Sequence, residues 1–203
     1  TDVPLKGCLL NAMSSWWFRN TEHIIPNHYI YHKDRYMIVK KCKPIKLEIV
    51  VRAYMTGSSS TSIWKQYNSG NRYMYGIDFR DGYKKNEPLD EIVITPTTKG
   101  TVDMPLTKAE IVTQDYLSCS QRNYIYEKAL ELFNYGALLA KYRGLILVDT
   151  KYEFGFYNDE IILMDEIHTC DSSRYWKDDT FKSRLASGQE PEKYDKDCIR
   201  DYI

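Results

Sequence analysis

The sequence predicts an α+β fold, in which an antiparallel sheet carries a β-hairpin and helices pack on one side of it. Two neighbouring segments support this prediction. Residues 145–167 read as two strands joined around Asn158 and Asp159, and residues 122–143, directly before them, have apolar side chains at helical spacing. Strand-like and helix-like segments alternate along the rest of the chain without an internal repeat.

Length, composition and charge exclude several classes of protein. The chain has 203 residues, of which 43% are hydrophobic and 14% aromatic, which is enough for a packed core. Lys and Arg together number 28, as do Asp and Glu, so no overall field favours nucleic acid or an anionic membrane. No apolar run approaches the roughly 20 residues of a membrane span, and the first residues lack the features of a secretory signal. We therefore expect a cytoplasmic protein without nucleic-acid or membrane partners.

The cysteines and histidines form no recognisable disulfide or metal pattern. The five cysteines are widely spaced and odd in number, so we expect reduced thiols. His23, His28 and His32 lie close together in HIIPNHYIYH. Pro26 and the alternation of this segment indicate an extended chain. We interpret the three residues as polar loop histidines, with a metal site as the alternative.

The remaining elements follow in chain order. Residues 9–24 have helical spacing that Pro26 ends, and residues 36–57 read as two strands around Pro44. Residues 56–100 are rich in Ser, Gly, Asn, Asp and Pro with little periodicity, which predicts a long, ordered connection with a functional role. Gly144 is the predicted C-cap of the helix at 122–143, and a last helix is predicted to begin at Asp195.

Charged residues occur at regular intervals in the predicted hairpin. Strand alternation places Leu147, Asp149, Lys151 and Glu153 on one face of the first strand. A connection with an odd number of residues would set Glu153 beside Asp165 of the second strand, whereas an even one would separate them. Two close carboxylates repel each other unless a cation lies between them, which favours a Mg²⁺ site. The alternative is a solvated sheet face on which Lys151 pairs with the acids.

Two further segments combine arginine with hydroxyl side chains, as anion sites do. Arg174 follows Asp171, Ser172 and Ser173, so its guanidinium fork and neighbouring hydroxyls are able to hold an anion. Arg52 precedes Gly57, which permits a tight turn, and the hydroxyl residues Ser58, Ser59, Ser60, Thr61 and Ser62. Together the segments predict one anionic substrate next to a metal.

Four longer motifs occur in order along the chain: KKCKPIKLEIVVRAYMTGSSSTSIW, ITPTTKG, GLILVDTKYEFG and MDEIHTCDSSRYW. Together they resemble the successive motifs of the phosphoribosylaminoimidazole-succinocarboxamide synthase (SAICAR synthase) family, in its long eukaryote-like form. The resemblance covers nearly the whole chain. It implies a purine-biosynthetic ligase that uses ATP and Mg²⁺ to join carboxyaminoimidazole ribotide and L-aspartate through an acyl phosphate.

The resemblance also implies roles for individual residues on the nucleotide side. Lys40, Lys41 and Cys42 match a hinge strand whose backbone meets the adenine. Glu153 and Asp165 match magnesium ligands that share the metal with ATP. The family fold places this nucleotide in a cleft between two lobes.

On the substrate side, the resemblance implies a ribotide site beside the reacting groups. Arg52 and Ser58 match residues that hold the ribotide phosphate, and Asp171 with Arg174 match further ribotide contacts. Lys99 and Lys151 match lysines near the reacting groups, so Lys151, Lys99 and Arg174 are the predicted catalytic residues.

The family pattern divides the chain into two parts. Residues 1–45 match the end of an N-terminal lobe and the hinge, and residues 46–203 match a central and C-terminal substrate and metal domain. The phosphate-covering loop of the N-terminal lobe and the final helix of the family have no counterpart in this sequence. The predicted partners are small-molecule substrates, with a homo-oligomer as a further option. The alternative function is a non-catalytic nucleotide- or ribotide-binding module.

Overall fold

The structure is a computed structural model that describes residues 3–59 and 62–200. Its helices are α1 (Lys6–Thr21), α2 (Ile63–Asn68), α3 (Lys108–Thr113), α4 (Cys119–Lys141), α5 (Asp178–Ala186) and α6 (Lys196–Arg200). Its strands are β1 (Tyr29–Lys33), β2 (Tyr36–Val39), β3 (Lys43–Pro44), β4 (Leu47–Tyr54), β5 (Tyr73–Met74), β6 (Ile77–Asp78), β7 (Pro88–Thr98), β8 (Leu145–Tyr157), β9 (Glu160–Met164) and β10 (Ser173–Lys177).

The main sheet is built around β8. Its strand order is β10-β8-β4-β7, and every pair is antiparallel. The C-terminal half of β8 also pairs with β3 and with β9. The predicted α+β class and the antiparallel hairpin are therefore confirmed.

Helices cover both faces of this sheet. α4 begins at a capping box formed by Ser118 and Gln121, three residues before the predicted start, and packs its apolar face into the main core. α5 instead packs Phe181 with Trp176, while the preceding Tyr175 belongs to the main core. Because consecutive strand residues point to opposite faces, the prediction that all helices lie on one side is wrong.

Residues 56–100 contain an 11-residue strand, β7, besides the short elements α2, β5 and β6. β7 pairs with β4 at the edge of the sheet. Pro88 and Pro96 lie within β7, and an edge strand tolerates proline because one row of its N–H groups has no partner strand. The described part of the segment is ordered, as predicted, but a third of residues 56–100 lies in strands rather than in a loop.

The histidines of the N-terminal segment are held by the fold. His28 is buried against the ring of Phe18, and burial lowers the pKa of His28 to about 4. His32 lies in β1, where its ring contacts the Tyr29 hydroxyl at 3.0 Å. His28 thus lies in the connection between α1 and β1, as predicted, although it is buried, whereas His32 belongs to a strand. No helix within the described ranges combines the length and apolarity that crossing a bilayer requires.

The register of the hairpin of β8 and β9 differs from the one that would place Glu153 opposite Asp165. Its connection is the two-residue turn Asn158-Asp159, so Glu153 lies opposite Met164 and the predicted odd register is wrong. A β-bulge in β8 moves Leu147 off the face that alternation predicts for it. Arg174 pairs with Asp149, whereas the next residue, Tyr175, pairs with Leu147. Leu147 consequently joins the main core instead of the charged face.

Gly155 lets the segment after β2 approach β8 closely. A Cβ atom at this position would lie 2.9 Å from the Met164 sulfur, 3.0 Å from the Cys42 Cβ and 3.1 Å from the Lys43 carbonyl oxygen. A side chain here would push β3 or β9 away from β8.

We expect Gly155→Ala to lower the free energy of unfolding by about 1–3 kcal/mol, because the added methyl group overpacks this contact. Denaturant unfolding followed by circular dichroism measures the change. Gly100→Ala is the control, since a Cβ there comes no closer than 3.8 Å to another atom. Equal stability of the two variants would contradict the packing role of Gly155.

Candidate active site

The charged face of β4, β8 and β10 opens onto a cavity of about 150 Å³. Hydroxyl and charged side chains from these strands and from the segment 195–197 form its wall. They include Arg52, Asp149, Lys151, Ser173, Arg174 and Lys196. A polar cavity on a rigid sheet is suited to a small charged ligand.

Three charged side chains form a row across the strands beside this cavity. Asp149 of β8 is the backbone partner of both Arg52 on β4 and Arg174 on β10. Its Oδ2 accepts hydrogen bonds from Arg52 Nη1 at 3.2 Å and from Arg174 Nη1. Arg52 Nε also donates to Thr95 Oγ1 at 2.8 Å. We call Arg52, Asp149 and Arg174 the arginine row.

The pKa values of the two guanidinium groups are shifted in opposite directions. Burial lowers the pKa of Arg52, and the charge of Asp149 offsets part of that effect. The same carboxylate raises the pKa of Arg174, which also lies 3.6 Å from Asp197 Oδ2 through its Nε. Within the arginine row itself two guanidinium groups share one carboxylate, and their N–H donors favour an anion such as phosphate.

The loop after β4 reaches the same arginine row. Gly57 and Ser58 line a second cavity of about 70 Å³ together with Arg174. Gly57 has φ +110°, and a Cβ there would lie 2.5 Å from the Ser62 Cβ, so glycine is required for the turn. Ser59 lines the first cavity. The predicted contributions of Ser60 and Thr61 lie outside the described residues.

A cluster of lysines and carboxylates lies one row further along β8. Lys151 Nζ donates to Glu153 Oε1 at 2.7 Å and to Glu48 Oε1 at 3.0 Å, and it lies 3.8 Å from Asp165 Oδ2. Lys99 donates to Oε2 of Glu153. The structure therefore brings together Lys99, Lys151, Glu153 and Asp165, as the sequence predicts. We call these four residues and Glu48 the carboxylate cluster.

Asp165 reaches Glu153 by a backbone turn rather than by strand register. β9 ends at Met164, and Asp165 has φ +68°, a left-handed conformation that turns the chain out of the sheet. Both carboxyl groups approach Lys151 Nζ, Glu153 Oε1 at 2.7 Å and Asp165 Oδ2 at 3.8 Å. The two acids thus meet although the even turn would separate them on a regular strand.

The two carboxyl groups have opposite pKa shifts. Burial and the charge of Glu153 raise the pKa of Asp165 to about 6. Burial also raises the pKa of Glu153, but hydrogen bonds from Lys151 and Lys99 outweigh it and hold that pKa below its usual range. For Lys151, the lowering effect of burial is exceeded by its bonds to Glu153 and Glu48, so its pKa is raised.

The donor set of this cluster fits Mg²⁺ shared with phosphate groups. In the part of the chain that the structure describes, no group of three or more acidic, His or Cys side chains could hold a metal by itself. Mg²⁺ in nucleotide sites, however, takes one or two carboxylates and completes its shell with phosphate oxygens and water. Glu153 and Asp165 supply such a pair, and a cation between them would relieve their repulsion.

Lys40, Lys41 and Cys42 link β2 to β3 at the edge of this cluster. The Lys40 amide donates to the His28 carbonyl at 2.7 Å, and the Cys42 thiol donates to the Lys40 carbonyl at 3.2 Å. β3 then pairs with Gly155 and Phe156, next to Glu153 on β8. The segment is thus distant in sequence from the residues predicted to bind metal, but the pairing of β3 with β8 brings it close to them.

Asp171 also lines the first cavity. Its carboxylate pairs with Lys6 at 2.9 Å, and its carbonyl accepts from Lys196 Nζ at 2.5 Å. Asp195, predicted to start the last helix, caps α6 by accepting from the Asp197 amide at 2.8 Å.

Sequence reasoning missed several residues of the site. Alternation places Asp149 on the charged face of the hairpin but assigns it no role. No motif of the sequence points to Lys196 or Asp197 of the last helix. Strand parity with Lys151 was a signal for Asp149. The sequence carried none for Lys196 or Asp197, because the fold of the segment 187–197 brings them to the cavity.

Comparison with known proteins gives consistent matches. The family model described as SAICAR synthetase matches residues 1–203. A phosphoribosylaminoimidazole-succinocarboxamide synthase of Legionella pneumophila (strain Lens) is 49% identical over 201 residues, which are 98% of this chain and 64% of the relative. The chain thus spans about two thirds of the length of that protein.

Solved structures of similar proteins share the fold. The SAICAR synthase of Saccharomyces cerevisiae complexed with SAICAR has a TM-score of 0.81 and 30% identity, covering 100% of this chain and 71% of its own. A Type-2 SAICAR synthetase in complex with ADP has a TM-score of 0.78 and 25% identity, covering 98% of this chain and 75% of its own.

We expect Asp149→Asn to lower the free energy of unfolding by about 3 kcal/mol, because it leaves two neighbouring guanidinium groups without their shared counter-charge. Denaturant unfolding measures the loss. Asp81→Asn is the matched control, since Asp81 pairs with Arg72 but its side chain is 90% exposed, and we expect a change within about 0.5 kcal/mol. Similar small losses in both variants would show that Asp149 is not required to hold the arginine row.

Proposed function

The chain belongs to the SAICAR synthetase family, and on that premise we propose that it carries the substrate and metal site of an ATP-dependent ligase. The reaction joins carboxyaminoimidazole ribotide and L-aspartate to form SAICAR. The observation that carries this proposal is the position of β8, which presents Asp149 of the arginine row and, two and four residues later, Lys151 and Glu153 of the carboxylate cluster. One rigid strand therefore sets the distance between an anion site and a nucleotide-metal site.

The ribotide phosphate occupies the arginine row in this proposal. Arg52 and Arg174 supply two guanidinium forks, and Ser58 supplies a hydroxyl donor from the loop that lies beside Arg174. Asp171, which lines the same cavity, contributes on the ribotide side. The Arg52 side chain is pre-oriented by Thr95 and Asp149, which reduces the entropy lost when a phosphate binds.

In this proposal the nucleotide binds beside the carboxylate cluster, further along β8 than the ribotide phosphate. Glu153 and Asp165 would hold Mg²⁺, and the backbone of Lys40, Lys41 and Cys42 would meet the adenine. Mg²⁺, when bound, neutralises charge on the phosphate that is transferred. The lysines that now pair with Glu153 are able to move to phosphate oxygens, because Lys99 is half exposed and Lys151 partly so.

The chemistry requires activation of a carboxylate, which is a poor electrophile. ATP supplies a phosphoryl group to the ribotide carboxylate, forming an acyl phosphate and ADP. The aspartate amine then attacks the acyl carbon and phosphate leaves. Lys151, Lys99 and Arg174 act by positioning these anions and stabilising charge, which is the main protein contribution to phosphoryl transfer.

Turnover in the presence of all three substrates tests this function against the alternative, a module that binds ribotide or nucleotide without catalysis. We further propose residues 1–45 as the end of an N-terminal lobe and hinge and 46–203 as the substrate and metal domain; the cytoplasmic location and a homo-oligomer stay predictions.

We expect Arg52→Ala to weaken ribotide binding at least about tenfold while ATP affinity changes little, because a guanidinium clamp acts locally on phosphate. Isothermal titration with each ligand measures the two affinities. Arg52→Lys keeps the charge but not the fork and should give an intermediate loss. Arg143→Ala, an exposed arginine after α4, is the control. Equal loss of both ligands in Arg52→Ala would contradict the assigned role.

We expect Glu153→Gln and Asp165→Asn to reduce turnover at least about a hundredfold and to raise the Mg²⁺ concentration needed for half-maximal rate, because each removes charge from a metal ligand while keeping its shape. Steady-state assays over a Mg²⁺ series measure both effects. Glu160→Gln changes an exposed carboxylate of the same hairpin and should behave as the parent protein. Undiminished turnover of either site variant at limiting Mg²⁺ would remove the metal assignment.

A further inference from the structure

We propose that the buried hydrogen bond between Tyr152 and His168 positions Asp165 against Glu153, so that this bond sets the affinity for the metal-nucleotide complex. The inference rests on the proposed function of the Glu153 and Asp165 pair. Tyr152 and His168 touch neither substrate nor metal, and they act through the segment 165–172, which we call the acidic loop.

The pair lies in the core directly beneath the site. Both side chains are 0% exposed, and the Tyr152 hydroxyl lies 2.5 Å from His168 Nε2. The edge of the Trp17 ring packs against the imidazole at a centroid distance of 4.5 Å. On the other side, a Cβ at Gly136 would lie 2.4 Å from His168 Cε1, so the α4 backbone also confines the ring.

Tyr152 occupies the strand position between two site residues. Lys151 and Glu153 point from β8 into the carboxylate cluster, and Tyr152 points into the core between them. A bond made by Tyr152 therefore fixes a point of β8 that is one residue away from each of them. The bond from Tyr152 to His168 therefore fixes the acidic loop relative to β8 from the core side of the strand.

The acidic loop turns at its metal-side end and again at His168. Asp165 has φ +68° and His168 has φ +51°, so both are left-handed. Such conformations cost free energy in residues other than glycine and persist only where surrounding contacts hold them. The His168 carbonyl accepts from the Tyr175 hydroxyl at 2.9 Å, so His168 is held from β8 by its ring and from β10 by its backbone.

Hydrogen bonds within the acidic loop connect its residues to one another. Thr169 Oγ1 donates to the Glu166 carboxylate at 2.5 Å and accepts from the amides of Asp171 and Ser172 at 3.2 and 3.1 Å. The Ile167 amide reaches Ser14 Oγ at 3.4 Å. A shift of the His168 ring is thus transmitted along the loop to Asp165, three residues away.

The polar nature of this contact points to positioning rather than to packing alone. His168 Nδ1 is buried and has no hydrogen-bond partner among the described residues, which costs stability. An apolar pair of similar volume would avoid this cost, but it would lack a directional bond between β8 and the loop. The directional bond has a use if the distance between Asp165 and Glu153 must be held.

Tyr152→Phe, in the protein at its natural length, removes the hydroxyl and keeps the ring. We expect the dissociation constant for Mn²⁺ in the presence of ADP, measured by electron paramagnetic resonance, to rise about fivefold, as expected for the loss of one hydrogen bond. The affinity for ADP without metal and the KM for the ribotide should change less than about twofold, since neither depends on Asp165.

Tyr67→Phe is the matched control for a general loss of stability. The Tyr67 hydroxyl is buried and joins the Arg80 carbonyl and the Tyr83 amide, each at 3.0 Å, within a separate cluster. We expect it to lower the melting temperature at least as much as Tyr152→Phe does and to leave Mn²⁺ affinity unchanged. An unchanged Mn²⁺ affinity in Tyr152→Phe, at a similar loss of melting temperature, would overturn the proposal.

Two variants of His168 test the bond from its other side. His168→Gln places an amide near the position of Nε2 and should retain most of the Mn²⁺ affinity, whereas His168→Met should lose as much as Tyr152→Phe. The double variant with Tyr152→Phe and His168→Met should be no worse than either single change, because both remove the same bond. Additive losses would contradict a shared role. If the parent protein itself binds no Mn²⁺ with ADP, the proposed function fails instead.

Discussion

The shared carboxylate of Asp149 is the interaction on which the geometry of the site depends. Two guanidinium groups cannot lie side by side in a buried sheet without a counter-charge, because each loses hydration that must be replaced. Asp149 supplies that charge from the central strand and thereby fixes Arg52 and Arg174 relative to one another. Three strands from distant parts of the chain are joined at one polar row, and the cavity forms over it.

The carboxylate cluster is also held together by opposite charges, but in it the negative charges are in excess. Glu48, Glu153 and Asp165 face two lysines, Lys99 and Lys151, so the acids exceed the bases by one. The arginine row has the opposite excess. A ligand that is negative at its phosphate end and reaches a metal-nucleotide complex at the other end would complement both regions along β8.

Local pattern was sufficient for most of the fold. The hairpin, the helix α4 and the antiparallel class followed from periodicity, although β8 is buried along most of both faces whereas α4 buries one. β7 was missed because Pro88 and Pro96 interrupt a strand pattern, and only its edge position explains why they are tolerated. Whether a strand lies at an edge is a property of the whole sheet.

The meeting of Glu153 and Asp165 shows why site geometry was harder to predict than site composition. Alternation predicts side-chain direction only while a strand continues, and β9 ends one residue before Asp165. A single left-handed residue then changes the direction of the chain. Similarly, Asp149 gained its role from two strand partners that lie far from it in sequence, which no local pattern contains.

The two-residue turn at Asn158 and Asp159 has a consequence for how the molecule folds. Both residues have positive φ, 50° and 63°, as in the tight hairpin turns that match strand twist. The hairpin can therefore close by local pairing, which takes on the order of microseconds. Arg52 and Asp149 are separated by 97 positions, so their contact must wait for a large loop to close. We expect a nascent chain to acquire the strand pairing around Glu153 early and its anion-binding half only when the distant strands arrive.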